Sequence, residues 1–149
     1  MTRYERQMIL PEVGPEGQAA IRSARVLVVG AGGLGAQVLQ YLVGAGVGNI
    51  TLLDADTVSV SNLHRQTLFR QEDAGRPKAE AAAKTLHDLN GDCTITTLFK
   101  VLDPQNADDL VAQNTLVLDC ADSFAVSYIL SDSCLRHKVP LISASVLGF

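Results

Sequence analysis

The sequence predicts an α/β fold, a doubly wound and mainly parallel sheet flanked by helices, on three observations. Short aliphatic runs alternate with segments of helical period along the chain. The first run, Arg25-Val26-Leu27-Val28-Val29, is almost wholly aliphatic and rich in valine, the pattern of a strand buried on both faces. It leads straight into Gly30-Ala31-Gly32-Gly33-Leu34-Gly35, a glycine-rich turn that opens a helix, as in a Rossmann-like nucleotide-binding unit.

Taken in order, the elements follow from local chemistry. Residues 1–24 read as a helical arm: a polar lead-in, the Gly14 break, Pro15 where a first turn tolerates a missing N–H, and a short helix over 16–23. The strand at 25–29 and its turn come next. Leu34, Val38, Leu42 and Val43 recur at helical spacing to about residue 45, and 49–54 is a second strand. Pro77 opens an alanine-rich helix to residue 89. Residues 93–101 are strand-like, 104–113 a short helix, 115–119 a strand, 123–137 a helix and 139–144 a fifth strand candidate. Right-handed crossovers are the expected connections. Residues 25–149 thus form one Rossmann-like domain. The stretch 139–149 is apolar with no polar tail, which predicts an edge strand lacking its neighbour and a domain truncated at its C-terminal end.

Composition narrows the partners. A net charge of −4, with acidic residues scattered, lacks the basic patch that would neutralise a nucleic-acid backbone. No apolar stretch is long enough to span a bilayer and the N-terminus has no signal-peptide core, so a cytoplasmic protein without membrane contact is expected. Cys93, Cys120 and Cys134 are odd in number and widely spaced, which suits reduced thiols rather than a disulfide framework or a zinc site. Cys120, at a strand end, reads as a small buried hydrophobe, and His64, His87 and His137 show no ligand spacing.

The chemistry concentrates at the carboxyl ends of the predicted strands. Gly30 permits the tight turn, Gly32 lets backbone amides approach an anion, and Gly35 allows close helix–strand packing. Asp54, nineteen residues beyond Gly35, closes the second strand where a carboxylate accepts hydrogen bonds from ribose hydroxyls. These features admit either NAD or ATP. The segment after Asp54 departs from an ordinary crossover: Asp56, Asn62, Arg65 and Gln66 follow closely, and Lys78 stands at a helix start. Converging cations would stabilise charge building up in transfer at an α-phosphate, whereas NAD needs mainly the loop amides. Asp122 precedes Ser123 at the start of a helix and also suits an N-cap.

Six motifs in order resemble one family: Arg3-Tyr4-x-Arg6-Gln7, Gly30-x-Gly32-Gly33-Leu34-Gly35, Gly44-x-Gly46-Val47-Gly48, Asp54-x-Asp56-x-Val58-x-x-Ser61-Asn62-Leu63-x-Arg65-Gln66, Arg76-Pro77-Lys78 and Leu118-Asp119-Cys120-x-Asp122. Together they are similar to the ThiF/MoeB/HesA adenylyltransferases, relatives of the ubiquitin-activating enzymes, over the N-terminal part of those longer proteins. The resemblance implies ATP with Mg²⁺, and an acyl adenylate formed on the terminal glycine of a ubiquitin-like sulfur-carrier protein ending in Gly-Gly, with release of pyrophosphate. It implies that Asp54 holds the ribose, Asn62 and Arg65 the phosphates, Lys78 the phosphates and the developing charge, and Asp122 the magnesium. It places Arg6 at the γ-phosphate of the other subunit of a homodimer. The catalytic set is therefore Arg65, Lys78 and Arg6, with Gly30, Gly32, Gly33, Gly35, Asp54, Asp56, Asn62 and Gln66 completing the nucleotide site. Ser123 and Ser127 stand where the family usually has Asn and Arg, and the family's zinc cysteines lie beyond residue 149, so no zinc site is expected within this chain. Residues 140–145 resemble ThiF slightly more than MoeB. Two other readings stay open: a non-catalytic nucleotide-binding or dimerisation fragment, and an NAD-binding oxidoreductase domain.

Overall fold

Side-chain alternation in the central strand decides which helix layer each residue reaches. The computed structural model describes residues 3–146. In β1 (Arg25–Val29), Val26 and Val28 point into one apolar cluster, and Leu27 and Val29 into another on the opposite face. The first cluster is roofed by α3 (Gly33–Ala45) and α4 (Lys78–Leu89), through Leu39, Val43, Ala79, Ala82 and Leu86. The second is roofed by α5 (Ala107–Ala112) and α6 (Phe124–His137), through Ala107, Val111, Leu130 and Cys134. Burial on both faces is why the strand reads as a continuous aliphatic run.

The sheet also contains β2 (Asn49–Leu53), β3 (Thr94–Leu98), β4 (Leu116–Asp119) and β5 (Leu141–Ser143), in the order β3-β2-β1-β4-β5 with every neighbouring pair parallel. The chain winds outward from β1 through β2 to β3, then crosses back to β4 on the other side of β1. That reversal opens a crevice beyond the carboxyl ends of β1 and β4, the place where such sheets bind ligands. The predicted fold class is the observed one.

Three predicted elements shrink by more than a residue or two, each for a local reason. β3 ends at Leu98 rather than 101, because it borders only β2 and the last residue of β2, Leu53, is already paired with Leu98. The helix expected over 104–113 starts at Ala107, since Asp103 Oδ1 accepts the N–H groups of Gln105 and Asn106 at 2.9 Å each and holds the chain in a turn. The fifth strand is confined to Leu141–Ser143: Lys138 closes α6 in a left-handed conformation (φ 56°) and the Val139 N–H bonds back to Cys134 O. The tail of the apolar run, residues 147–149, lies outside the described residues.

The arm folds as two helices, α1 (Glu5–Met8), formed within the expected polar lead-in, and α2 (Gly14–Ser23) with Pro15 in its first turn. It docks at the amino ends of the strands. Arg3 donates to Leu89 O at 3.0 Å, the Tyr4 hydroxyl accepts from Asn90 Nδ2 at 2.7 Å, and Gln7 and Gln18 both donate to Ala45 O. No helix among the described residues is long and apolar enough to cross a membrane. Cys93, Cys120 and Cys134 are free thiols.

Candidate functional site

The turn after β1 is built by steric exclusion. Gly30 has φ +96°, and a Cβ there would fall 2.7 Å from the Cys120 carbonyl oxygen, so only glycine lets the β1 and β4 turns approach this closely. At Gly35 a Cβ would lie 1.9 Å from Gly30 O, which is why the first turn of α3 can pack directly on the strand end. Gly32 is the N-cap of α3, and among the described residues no side chain caps that helix. Its leading N–H groups therefore point into the crevice as donors, at the positive end of a thirteen-residue helix.

Asp54 ties this turn to the end of β2. Its carboxylate is buried, and it accepts from Ala31 N–H on one oxygen and from Asp56 N–H on the other, both at 2.7 Å. A carboxylate offers about four lone-pair sites, so two bonds leave about two acceptor directions for a ligand.

The segment from Asp54 to Lys78 leaves the sheet, folds over the glycine turn and returns. A short 3-10 turn, Val60–Asn62, sets its direction, and Val58 N–H to Arg76 O (2.8 Å) with Gly75 N–H to Val58 O (2.8 Å) ties its two ends together. Arg65 and Gln66 then lie over the loop: a methyl placed on Gly33 would touch the Arg65 stem at 3.8 Å, and one on Gly32 the Gln66 Nε2 at 3.7 Å. Arg65 is exposed, with its guanidinium 3.4 Å from Asn62 Oδ1 and 2.8 Å from His64 Nε2. Gln66 is 3% exposed and its Oε1 has no protein partner among the described residues, an orphaned acceptor beside the loop. Lys78 is 95% buried along its side chain, yet its ammonium reaches Asp56 Oδ2 at 2.9 Å, and Asp56 is largely exposed. The structure thus gives Asp56 the part of a partner to Lys78. One of the three ammonium donors is used there, leaving two.

The β4 end supplies the opposite wall. Asp122 is exposed, and among the described residues nothing bonds to it. The N-cap of α6 is Ser123, without a side-chain capping bond, so Asp122 is not a helix cap. Burial, helped by the neighbouring Asp119 charge, pushes the Cys120 thiol up to about 11, which keeps it neutral and poorly nucleophilic near pH 7. In the sequence Asp119 stands out only as part of a motif. It is almost fully buried and accepts from Ala121 N–H, Ser127 Oγ and Ser143 Oγ. An acid closing an apolar strand was the available signal.

One predicted residue stands apart. Arg6 is on the arm, docked near Ala45 at the end of α3 opposite the glycine turn, about 20 Å along a thirteen-residue helix. Within one chain it does not join Arg65 and Lys78. The remaining candidates gather around the crevice: Gly30, Gly32, Gly33, Gly35, Asp54, Asp56, Asn62, Arg65, Gln66 and Lys78 on the β1–β2 side, and Asp122 on the β4 side.

The set fits a nucleoside polyphosphate. Uncapped amides and two cations could receive phosphates, Asp54 retains acceptor directions that would suit ribose, and the Gln66 acceptor, unpartnered among the described residues, would suit a hydroxyl or amine donor. Among the described residues no three His, Cys, Asp or Glu side chains gather to hold a metal by themselves. A lone carboxylate such as Asp122 matches Mg²⁺ bound mainly through phosphates and water.

A model of the ThiF family matches residues 4–149. The chain is 51% identical over 147 residues to the molybdopterin-synthase adenylyltransferase of Salmonella typhimurium, covering 99% of this chain and 59% of that protein. It is 46% identical to the sulfur carrier protein adenylyltransferase of Thermus thermophilus, covering all of this chain and 55% of that one. Among solved structures, the Escherichia coli tRNA N6-threonylcarbamoyladenosine dehydratase in complex with ATP superposes with a TM-score of 0.88 at 30% identity, over 95% of this chain and 58% of that one. The chain thus spans a little over half the length of the relatives it matches. With the glycine turn, the acid at the end of β2 and the cationic segment folded over both, this match of nearly every residue shows that the chain belongs to the ThiF family.

Proposed function

We propose that this chain is the nucleotide-binding half of an ATP-dependent adenylyltransferase that activates the C-terminal glycine carboxylate of a ubiquitin-like sulfur-carrier protein. The observation that carries the reading is the 54–78 segment, which lays Arg65 and Gln66 over the glycine turn and brings Lys78 to the same edge. A dinucleotide site needs the turn and Asp54 alone. Two cations converging there suit a reaction in which charge accumulates on a phosphorus centre. The names of the relatives, molybdopterin-synthase and sulfur carrier protein adenylyltransferase, point to the carrier as the second substrate. The dehydratase neighbour acts on tRNA by its name, but a net charge of −4 gives this chain little to neutralise a nucleic-acid backbone.

In this reading the uncapped amides of α3 hold ATP phosphates and Asp54 takes the ribose through its remaining lone pairs. The carrier carboxylate attacks the α-phosphorus in line, the anhydride bond to the β-phosphate breaks, and pyrophosphate leaves. Arg65 and the two free donors of Lys78 stabilise the charge on the transferring group. Asp122 would hold Mg²⁺, whose chemistry is to neutralise the departing pyrophosphate. Arg6 belongs to this machinery only if a second copy of the chain brings its arm to the crevice, as in a homodimer. A cytoplasmic setting with reduced thiols goes with this assignment.

The test is a calorimetric titration of the chain with ATP plus Mg²⁺, repeated with NAD. Binding of ATP and not of NAD is expected; the reverse would sink the assignment. Pyrophosphate exchange driven by a carrier ending in Gly-Gly then separates an enzyme from a nucleotide-binding fragment.

A further inference from the structure

We propose that Asp119 is a positioning residue for the nucleotide site: clamped by Ser127 and Ser143, it sets the turn that presents Asp122. Asp119 closes β4 and is 1% exposed, so its carboxylate has left water and depends on protein donors. It has three, from three places. Ala121 N–H reaches Oδ1 at 3.1 Å, closing the turn locally, while Ser127 Oγ from α6 reaches Oδ2 at 2.6 Å and Ser143 Oγ from β5 reaches the same oxygen at 2.9 Å. The backbone joins in, with Ala144 N–H on Asp119 O at 3.0 Å and Cys120 N–H on Val29 O at 2.9 Å.

All of these contacts fall on residues 119–121 or their neighbours, and none on Asp122, which is exposed and without a protein partner among the described residues. The place of Asp122 is therefore set by what holds the turn just before it. The same turn presses its Cys120 carbonyl into the space that the missing Gly30 side chain leaves, so a shift at Asp119 would also be felt at the glycine turn. Neither serine hydroxyl completes a helix cap or a sheet ladder. Ser127 Oγ also lies 3.4 Å from Ser123 O in its own helix, but its much shorter bond, like that of Ser143, is to this one carboxylate, where a packing role alone would be filled as well by alanine.

The inference rests on the proposed assignment, in particular on Asp122 as the carboxylate on the cation side. Its test measures ATP affinity of the chain by calorimetry with Mg²⁺ and in EDTA, together with Tm, for wild type, Ser127→Ala, Ser127→Thr, Asp119→Asn and Asp122→Asn. Ser127→Ala leaves two donors in place and is the variant that keeps the test alive if Asp119→Asn fails to fold. It should weaken ATP binding about fivefold with Mg²⁺ and under about twofold without it, and Ser127→Thr should restore the affinity. Asp119→Asn should lose about tenfold with Mg²⁺ alone, and combining it with Asp122→Asn should cost little beyond either single change. Equal losses with and without Mg²⁺, or additive losses in the double variant, would overturn the positioning role and leave the assignment standing. A wild-type chain that bound no ATP would overturn both.

Discussion

At the amino ends of the strands, polar side chains close on one another. Asn90, 2% exposed, donates to the Tyr4 hydroxyl and to Val43 O, and Gln7 and Gln18 share Ala45 O. At the carboxyl ends, polar groups are left with open bonding directions. Among the described residues Gln66 Oε1 and Asp122 have no protein partner, the first amides of α3 have no side-chain cap, and Lys78 and Asp54 keep spare bonding directions. The two ends have similar chemistry and opposite accounting. Buried polar groups are ordinarily satisfied from within, so an end that leaves several open is one arranged for a ligand.

The contrast can be broken most severely at Gly35. Gly35→Ala puts a methyl 1.9 Å from Gly30 O, and a loss of about 4 kcal/mol or more is expected, on the order of 10 °C in Tm by thermal denaturation. A variant as stable as wild type would mean that the loop relaxes freely. Next in size is the closed end. Asn90→Ala removes three side-chain bonds, to Tyr4, Val43 O and the Asp92 N–H, for an expected loss of about 2 kcal/mol in urea unfolding with ATP affinity unchanged. A change in affinity would show that the two ends are coupled.

The open end should respond the other way round. Arg65→Ala and Lys78→Ala are each expected to lower ATP affinity about tenfold, and adenylate formation in the full-length enzyme by at least as much. Arg65→Ala should leave stability within about 0.5 kcal/mol, because the guanidinium is exposed. Unchanged affinity would remove these residues from the site. The last readout is chemical and leaves fold and affinity untouched: the thiol of Cys120. With the thiol pushed up to about 11, iodoacetamide should modify it roughly a hundredfold more slowly than a free cysteine at pH 8, and the rate should climb about tenfold per pH unit towards pH 11. Because burial penalises the thiolate, the sign is fixed: reactivity is lost as pH falls.

Much of this is legible in the residue types alone, and unevenly so. Strand and helix identity followed from period and burial on both faces, as in Arg25–Val29 and Gly33–Ala45, whose bounds match the expected ones. The boundaries that moved were those set by a particular neighbour: β3 stops where β2 stops, and α5 starts where Asp103 releases the chain. Site residues were legible where a spacing has a mechanical meaning, as from the glycine turn to Asp54. Asp119 was missed as a participant because its partners, Ser127 and Ser143, are eight and 24 residues away and belong to other elements.

The alternation of aliphatic runs with helical periods, and the glycines that only a tight βα turn needs, determined by themselves that this chain forms a parallel sheet with a phosphate-type turn, because those signals are local to each segment. What tertiary structure decided is which side chains meet. Pairing Lys78 with Asp56, laying Gln66 over Gly32, clamping Asp119 from two elements and sending Arg6 to the far end of α3 all depend on strand order and crossover. Such contacts join residues distant in sequence, and no local pattern of residue types encodes them.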